Sequence, residues 1–157
     1  MEELRNILSD LKSVDGVTGI ILISPEGLTM ASELPETVDP DLFSATAVTV
    51  YAACEKTMEG INYGELSMVS IEANEGKIFL VNCGEGILGV FSDNRVNLGL
   101  LRIMLNKTSK KVKDMLSGVF GEGLQEKPKE EEIEEEGEEG EEEEGGYQPP
   151  EYGPTGF

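Results

Sequence analysis

The sequence predicts an α+β fold: a five-stranded antiparallel sheet with helices on both faces, in the order α-β-β-α-β-β-β-α. Three observations carry that expectation. Stretches of helical periodicity alternate with short runs rich in Ile and Val over the first three quarters of the chain. The last three of those runs are joined by connections so short that only antiparallel hairpins fit. Every helix carries an apolar stripe that a sheet face can cover.

Leu4, Ile7, Leu8, Leu11 and Val14 recur at helical spacing, and Asp15-Gly16 ends that helix. Val17 to Ser24 reads as a buried strand, Pro25-Glu26-Gly27 as a turn and Leu28 to Leu34 as the second strand of a hairpin. Asp39-Pro40 starts the next helix, with Asp as N-cap and Pro at the first helical position, and the helix runs to about Gly60. Leu66 to Ala73, Lys77 to Cys83 and Ile87 to Ser92 are three more strands, joined through Asn74-Glu75-Gly76 and Gly84-Glu85-Gly86. Asp93 or Asn94 caps a last helix through Leu98, Leu101, Leu105, Val112 and Leu116, with Lys107, Lys110, Lys111 and Lys113 towards its C-terminal end.

Of 157 residues, 12 are Lys or Arg and 32 Asp or Glu, for a net charge of −20, and there is no His. Such acidity argues against nucleic acid as a partner, because phosphates are neutralised by Lys and Arg. Lacking His, the chain has no serine–histidine or cysteine–histidine triad and no imidazole metal ligand. The charge is uneven. Residues 1–118 hold 10 basic and 17 acidic residues, whereas 119–157 hold 2 and 15. The first stretch is therefore expected to be one folded domain and the second a disordered acidic tail. No apolar run is long enough to span a bilayer and no signal peptide is evident, so a cytoplasmic protein with reduced Cys54 and Cys83 is the expectation.

The middle helix has more apolar surface than one sheet needs, since no charge occurs from Leu42 to Cys54. Phe43, Thr46, Ala47, Val50, Cys54, Thr57 and Ile61 gather on the side expected to face the sheet. The opposite side collects Asp41, Ala45, Val48, Ala52, Glu55 and Glu59, with Ser44 and Lys56 beside it. Its small apolar centre and charged ends suit close approach of a second helix. An edge strand left by the three-stranded half would pair across the same two-fold axis, giving an isologous dimer.

Motifs for chemistry are weak. Gly84-Glu85-Gly86-Ile87-Leu88-Gly89 matches G-x-G-x-x-G, yet a strand rather than a helix N-terminus follows it, so it reads as a turn plus one strand glycine. Gly76-Lys77 lacks the rest of a phosphate loop, and the acidic run lacks calcium-loop spacing. No catalytic, cofactor-binding or metal residue is assigned. Pro149-Pro150-Glu151-Tyr152 has the form of a WW-domain ligand, and Tyr147, Tyr152 and Phe157 are the tail's aromatic groups. A solvated, solubilising tail is the preferred reading of this segment.

Pro25-Glu26-Gly27-Leu28 in the first hairpin, the small-residue central helix and Asn97-Leu98-Gly99-Leu100-Leu101-Arg102 after the last strand together resemble the Roadblock/dynein light chain family. The resemblance covers about Glu3 to Leu116. It implies a Roadblock-like, profilin-like sandwich that dimerises with itself or a paralogue by pairing central helices and joining sheets through the third strand. Here that means Asp39 to Gly60 for the helix and Leu66 to Ala73 for the strand, with Met68 and Ser70 at the junction. It also implies a non-enzymatic platform that binds, and in some members stimulates, a Ras-like small GTPase. A structural subunit with no nucleotide-linked partner is the alternative, and a small-molecule sensor a third class.

Overall fold

In the computed structural model, which describes residues 2–121, the apolar spacing of the N-terminal segment forms α1, Glu2–Lys12. Leu4, Leu8 and Leu11 on one stripe are buried. Gly16, at φ 91°, turns the chain in a left-handed conformation that L side chains rarely adopt. Strands β1 (Val17–Ile23) and β2 (Thr29–Glu33) follow as an antiparallel hairpin. Its turn is held by the Ser24 carbonyl, which accepts from the Gly27 N–H at 3.0 Å, with Gly27 at φ 87°.

Helix α2, Pro40–Gly60, starts as the Asp39-Pro40 pair dictates: the Asp39 carboxylate accepts from the backbone N–H groups of Asp41 and Leu42 at 3.0 and 3.2 Å. Strands β3 (Met68–Glu72), β4 (Lys77–Asn82) and β5 (Ile87–Ser92) form the expected hairpins, and α3, Leu98–Gly121, closes the described chain. The cap of α3 lies further on than expected: Asn97, not Asp93 or Asn94, accepts from the Leu100 N–H at 3.1 Å. Helix α3 also continues beyond Gly118. The chain divides into two units, Met1–Glu126 and Lys127–Phe157, and the expected acidic tail falls outside the described residues after its first three positions.

The sheet order is β2-β1-β5-β4-β3, every neighbouring pair being antiparallel. Side chains alternate between its faces. Ile20 and Leu22 of β1, Phe79 and Val81 of β4 and Leu88 and Val90 of β5 meet α1 and α3 on one face. Ile21, Ile23, Leu80 and Ile87 meet α2 on the other. Because both faces of β1 and β5 are covered, those strands read as continuous apolar runs rather than alternating ones. Gly89 is part of this packing: a Cβ there would lie 2.8 Å from Ile21 Cγ2 and 3.6 Å from the Phe43 ring. The G-x-G-x-x-G stretch is thus a hairpin turn, with Gly84 at φ 78°, running into a strand.

Candidate protein-interaction site

Helix α2 contacts β2 and β1 most, reaches Leu80 of β4, and leaves the outer margin of its sheet face, at Ile78, Val69 and Ile71, only partly covered. Ser44, Ala47 and Tyr51 are the residues it buries. The expected sheet-facing set is thereby corrected: Thr46, Thr57 and Ile61 are exposed, while Phe43, Val50 and Cys54 are half-buried. Rotating the helix this way also removes Ser44 from the expected dimer face. Ser44 is fully buried, and its hydroxyl lies 2.9 Å from that of Thr29, whose own proton goes to Asp41 at 3.0 Å. One hydroxyl has one proton to give, so Ser44 is the donor to Thr29.

The remaining residues of that face divide. Ala45, Ala52, Asp41 and Glu59 are exposed, whereas Val48 and Glu55 are half-buried. This flank lies beside the first hairpin, where Gly27 comes close to Ala45 and Val48. Val48, Ala52 and Glu55 line a cleft of about 270 Å³ with Pro25, Gly86 and Ile87. On the opposite flank the Phe43 ring stands 4.7 Å from that of Phe91 in β5, with Val50 and exposed Thr46 on the same side of the helix.

The partly covered margin of the sheet face begins there. Val69, Ile78, Phe43 and Phe91 are only partly buried, Ile71 is 40% exposed and Leu42 69% exposed. Sequence reasoning located the strand but not this patch. Its signal was the alternation of Val69 and Ile71 with Met68, Ser70 and Glu72, which marks a strand with one apolar face.

β3 is also an edge strand, with β4 on one side only. The Ala73 N–H donates to Gly76 across the β3–β4 turn at 2.9 Å, so Ala73 points its amide groups towards β4. Backbone direction alternates along a strand, so Ile71 and Val69 point the same way, while Met68, Ser70 and Glu72 turn their N–H and C=O groups outward. β3 is tied to α2 at its start, where the buried Tyr51 hydroxyl donates to the Leu66 carbonyl at 2.8 Å. Burial raises the Tyr51 pKa above the usual phenol range and keeps the donating form. This bond joins α2 to the segment that leads into β3.

Charges lie around the apolar patch rather than within it. Glu72 pairs with Lys77 at 2.9 Å. Arg95 is held away in the β5–α3 loop by Asp93, with nitrogen–oxygen distances of 2.7 and 3.0 Å. The same guanidinium holds the Asp93 carboxyl below the usual range. Among the described residues, no group of three or more His, Cys, Asp or Glu is placed to hold a metal ion, and no helix is long and apolar enough to cross a membrane.

Comparison with known proteins places this arrangement. The uncharacterized protein MJ1340 of Methanocaldococcus jannaschii is 39% identical over 112 residues, covering 71% of this chain and 98% of that protein. Its companion MJ0714 is 40% identical over 112 residues, covering 71% of this chain and 95% of its own length. Among solved structures, Myxococcus xanthus MglB superposes with a TM-score of 0.70 at 19% identity, covering 74% of this chain and 96% of MglB. A Roadblock/LC7 domain from Streptomyces avermitilis gives 0.65 at 20% identity, covering 70% and 94%. At these identities the two structures speak for the fold. The Roadblock/LC7 domain model matches residues 3–92, more than half of the sequence, and the chain belongs to that family.

Proposed function

We propose that the protein is a non-catalytic dimeric platform that binds a Ras-like small GTPase in the cytoplasm and modulates its nucleotide cycle. One observation carries the reading: the outward amides of β3 border an apolar sheet face that α2 leaves half covered. A second copy, or a paralogue, brings both missing components at once, a strand for the edge and a helix for the face. The family resemblance alone supplies the GTPase; pairing two such domains would widen the surface offered to it. Any stimulation of hydrolysis proceeds by repositioning the GTPase's own switch segments. To act as an arginine inserted in trans, Arg95 would first have to leave its exposed pairing with Asp93.

Two measurements test this. Light scattering on the full chain should give a dimer mass; a monomer removes the platform. Capture from native extract in the presence of GDP or a GTP analogue should retain a small GTPase in one nucleotide state preferentially. Partners retained equally in both states would instead make the chain a structural subunit.

A further inference from the structure

We infer that the hairpin flank of α2 is a docking surface for a basic amphipathic segment of another protein, which seats an apolar side chain in the cleft between flanking Lys or Arg residues. The inference needs neither a second copy nor a nucleotide, and so goes beyond the function proposed above.

The cleft has an apolar floor and an acidic rim. Val48 and Ala52 of α2, Pro25 of the first turn and Ile87 at the start of β5 line about 270 Å³. That is less than the roughly 300–1,000 Å³ of a small-molecule site, and suits one anchoring side chain of a peptide. The polar groups at its floor are already used inside the domain. The Tyr51 hydroxyl donates to the Leu66 carbonyl at 2.8 Å, and Asn82 Oδ1 accepts from the Gly84 N–H at 2.6 Å. What is left over is carboxylate.

Each of the three walls brings one. Glu55 lines the cleft from α2, Glu26 follows Pro25 in the first turn, and Glu85 stands between Gly84 and Gly86 in the β4–β5 turn. Glu59, one helical turn beyond Glu55, extends the acidic side into an adjoining cleft that Glu55 also lines. Among the described residues none of these four carboxylates forms an ion pair; the acids that do are Asp10, Glu33, Glu72 and Asp93. Lys113 packs its stem against Gly84 but lines a different cleft, with Glu65.

The end of α2 is electrostatically unfavourable as it stands. Its last turn carries no base, and Lys56, the one base in the helix, forms no ion pair among the described residues. Glu55 and Glu59 repel one another across one turn and stand towards the negative end of the helix dipole. A cation from outside relieves both costs. Where a local rule is broken without compensation inside the fold, function is the expected reason. Apolar contact seats the segment, and the rim selects its charge.

The probe is a fluorescent peptide with a central Leu-Leu pair between Lys and Arg residues, titrated into the full chain and followed by anisotropy and by amide resonances. Two control peptides replace the Leu pair by Ser, or the bases by Glu. The probe should shift the amides of Val48, Ala52, Glu55 and Ile87 first, and both controls should bind at least about fivefold more weakly. Glu55→Lys should weaken the probe by about fivefold or more. Glu3→Lys, the same charge change in α1 on the other face of the sheet, should stay within about twofold. Because Glu55→Lys puts a cation near a helix C-terminus, it should melt no lower than the parent chain. Absence of binding overturns the inference. Shifts confined to other residues, or equal losses from the two variants, mean that the chain's overall acidity draws the peptide, and overturn it as well. So does a Ser control that binds as tightly as the probe. A lower scattering mass for Glu55→Lys assigns the flank to self-association and overturns it too.

Discussion

The replacement of Ser70 by proline separates the two jobs of β3. Proline removes one N–H and constrains φ near −65°. At Ser70 that N–H points away from β4, so the β3–β4 ladder keeps its bonds, and edge strands tolerate proline with the amide side outward. The protomer should melt within a few degrees of the parent. In the proposed dimer the same change deletes two donors, one from each copy. At a net of about 0.5–1.5 kcal/mol per hydrogen bond, association weakens by roughly 1–3 kcal/mol before any clash of the ring with the opposing strand. With ~1.4 kcal/mol per tenfold, the dissociation constant should rise roughly 5- to 150-fold. A dilution series by sedimentation equilibrium reads this, with thermal melting in parallel. Ile71→Pro is the counterpart: its N–H points towards Ile78 of β4, so losing that ladder bond should lower protomer stability by roughly 1–3 kcal/mol. Unchanged self-association of Ser70→Pro, or an unaffected melt for Ile71→Pro, would refute the assignment of outward and inward amides.

Other substitutions probe the two sides of α2 and the sheet beneath it. Thr46→Lys, at an exposed position on the Phe43 flank, should leave the melt within about 0.5 kcal/mol and shift the scattering mass from dimer towards monomer. If Val48→Lys dissociates the protein and Thr46→Lys does not, the seam lies on the hairpin flank, as the sequence pattern suggests. Gly89→Ala should cost about 1–3 kcal/mol in urea unfolding, because its Cβ would stand 2.8 Å from Ile21 Cγ2, a branched position with little freedom to yield. A neutral result would mean that β5 and Phe43 sit less tightly than described. Burial pushes the Cys83 thiol up to about 12 from 9.0. Above about pH 9 the unfolded chain ionises this group while the folded chain keeps its proton, so stability should fall between pH 9 and 12. Cys83→Ala should flatten that part of the profile, and an unflattened curve would assign the loss elsewhere.

The elements were legible because each is written in local chemistry. Val17–Ile23 is a β-branched run, Asp39-Pro40 a cap and a first-turn residue, and Gly27 and Gly84 adopt the positive φ their turns require. The cap of α3 was not legible, since Asp93, Asn94 and Asn97 are all competent caps. Tertiary partners decide: Asp93 accepts from Arg95 and Asn94 donates to the Asn74 carbonyl, which leaves Asn97 to the helix.

The rotation of α2 escaped for a related reason. Small and apolar residues occur all around its central turns, so periodicity there defines no unique inner face. A serine would not be chosen as the centre of that face, yet Ser44 is fully buried because Thr29 across the contact accepts its proton. The charge-free length of α2 says only that the helix carries more apolar surface than its sheet contact needs, and the Phe43–Phe91 ring contact shows where that contact ends on one flank. The candidate site is likewise a vacancy in the order of strands rather than a motif. Val69, Ile71 and Ser70 are unremarkable within their own segment, and become a candidate interface only because β3 lies at the margin of the sheet, where Ile71 is left 40% exposed. For a protein of this kind, chemistry-bearing residues are the wrong quantity to search for; unpaired backbone next to uncovered apolar surface is the signal that points to a partner.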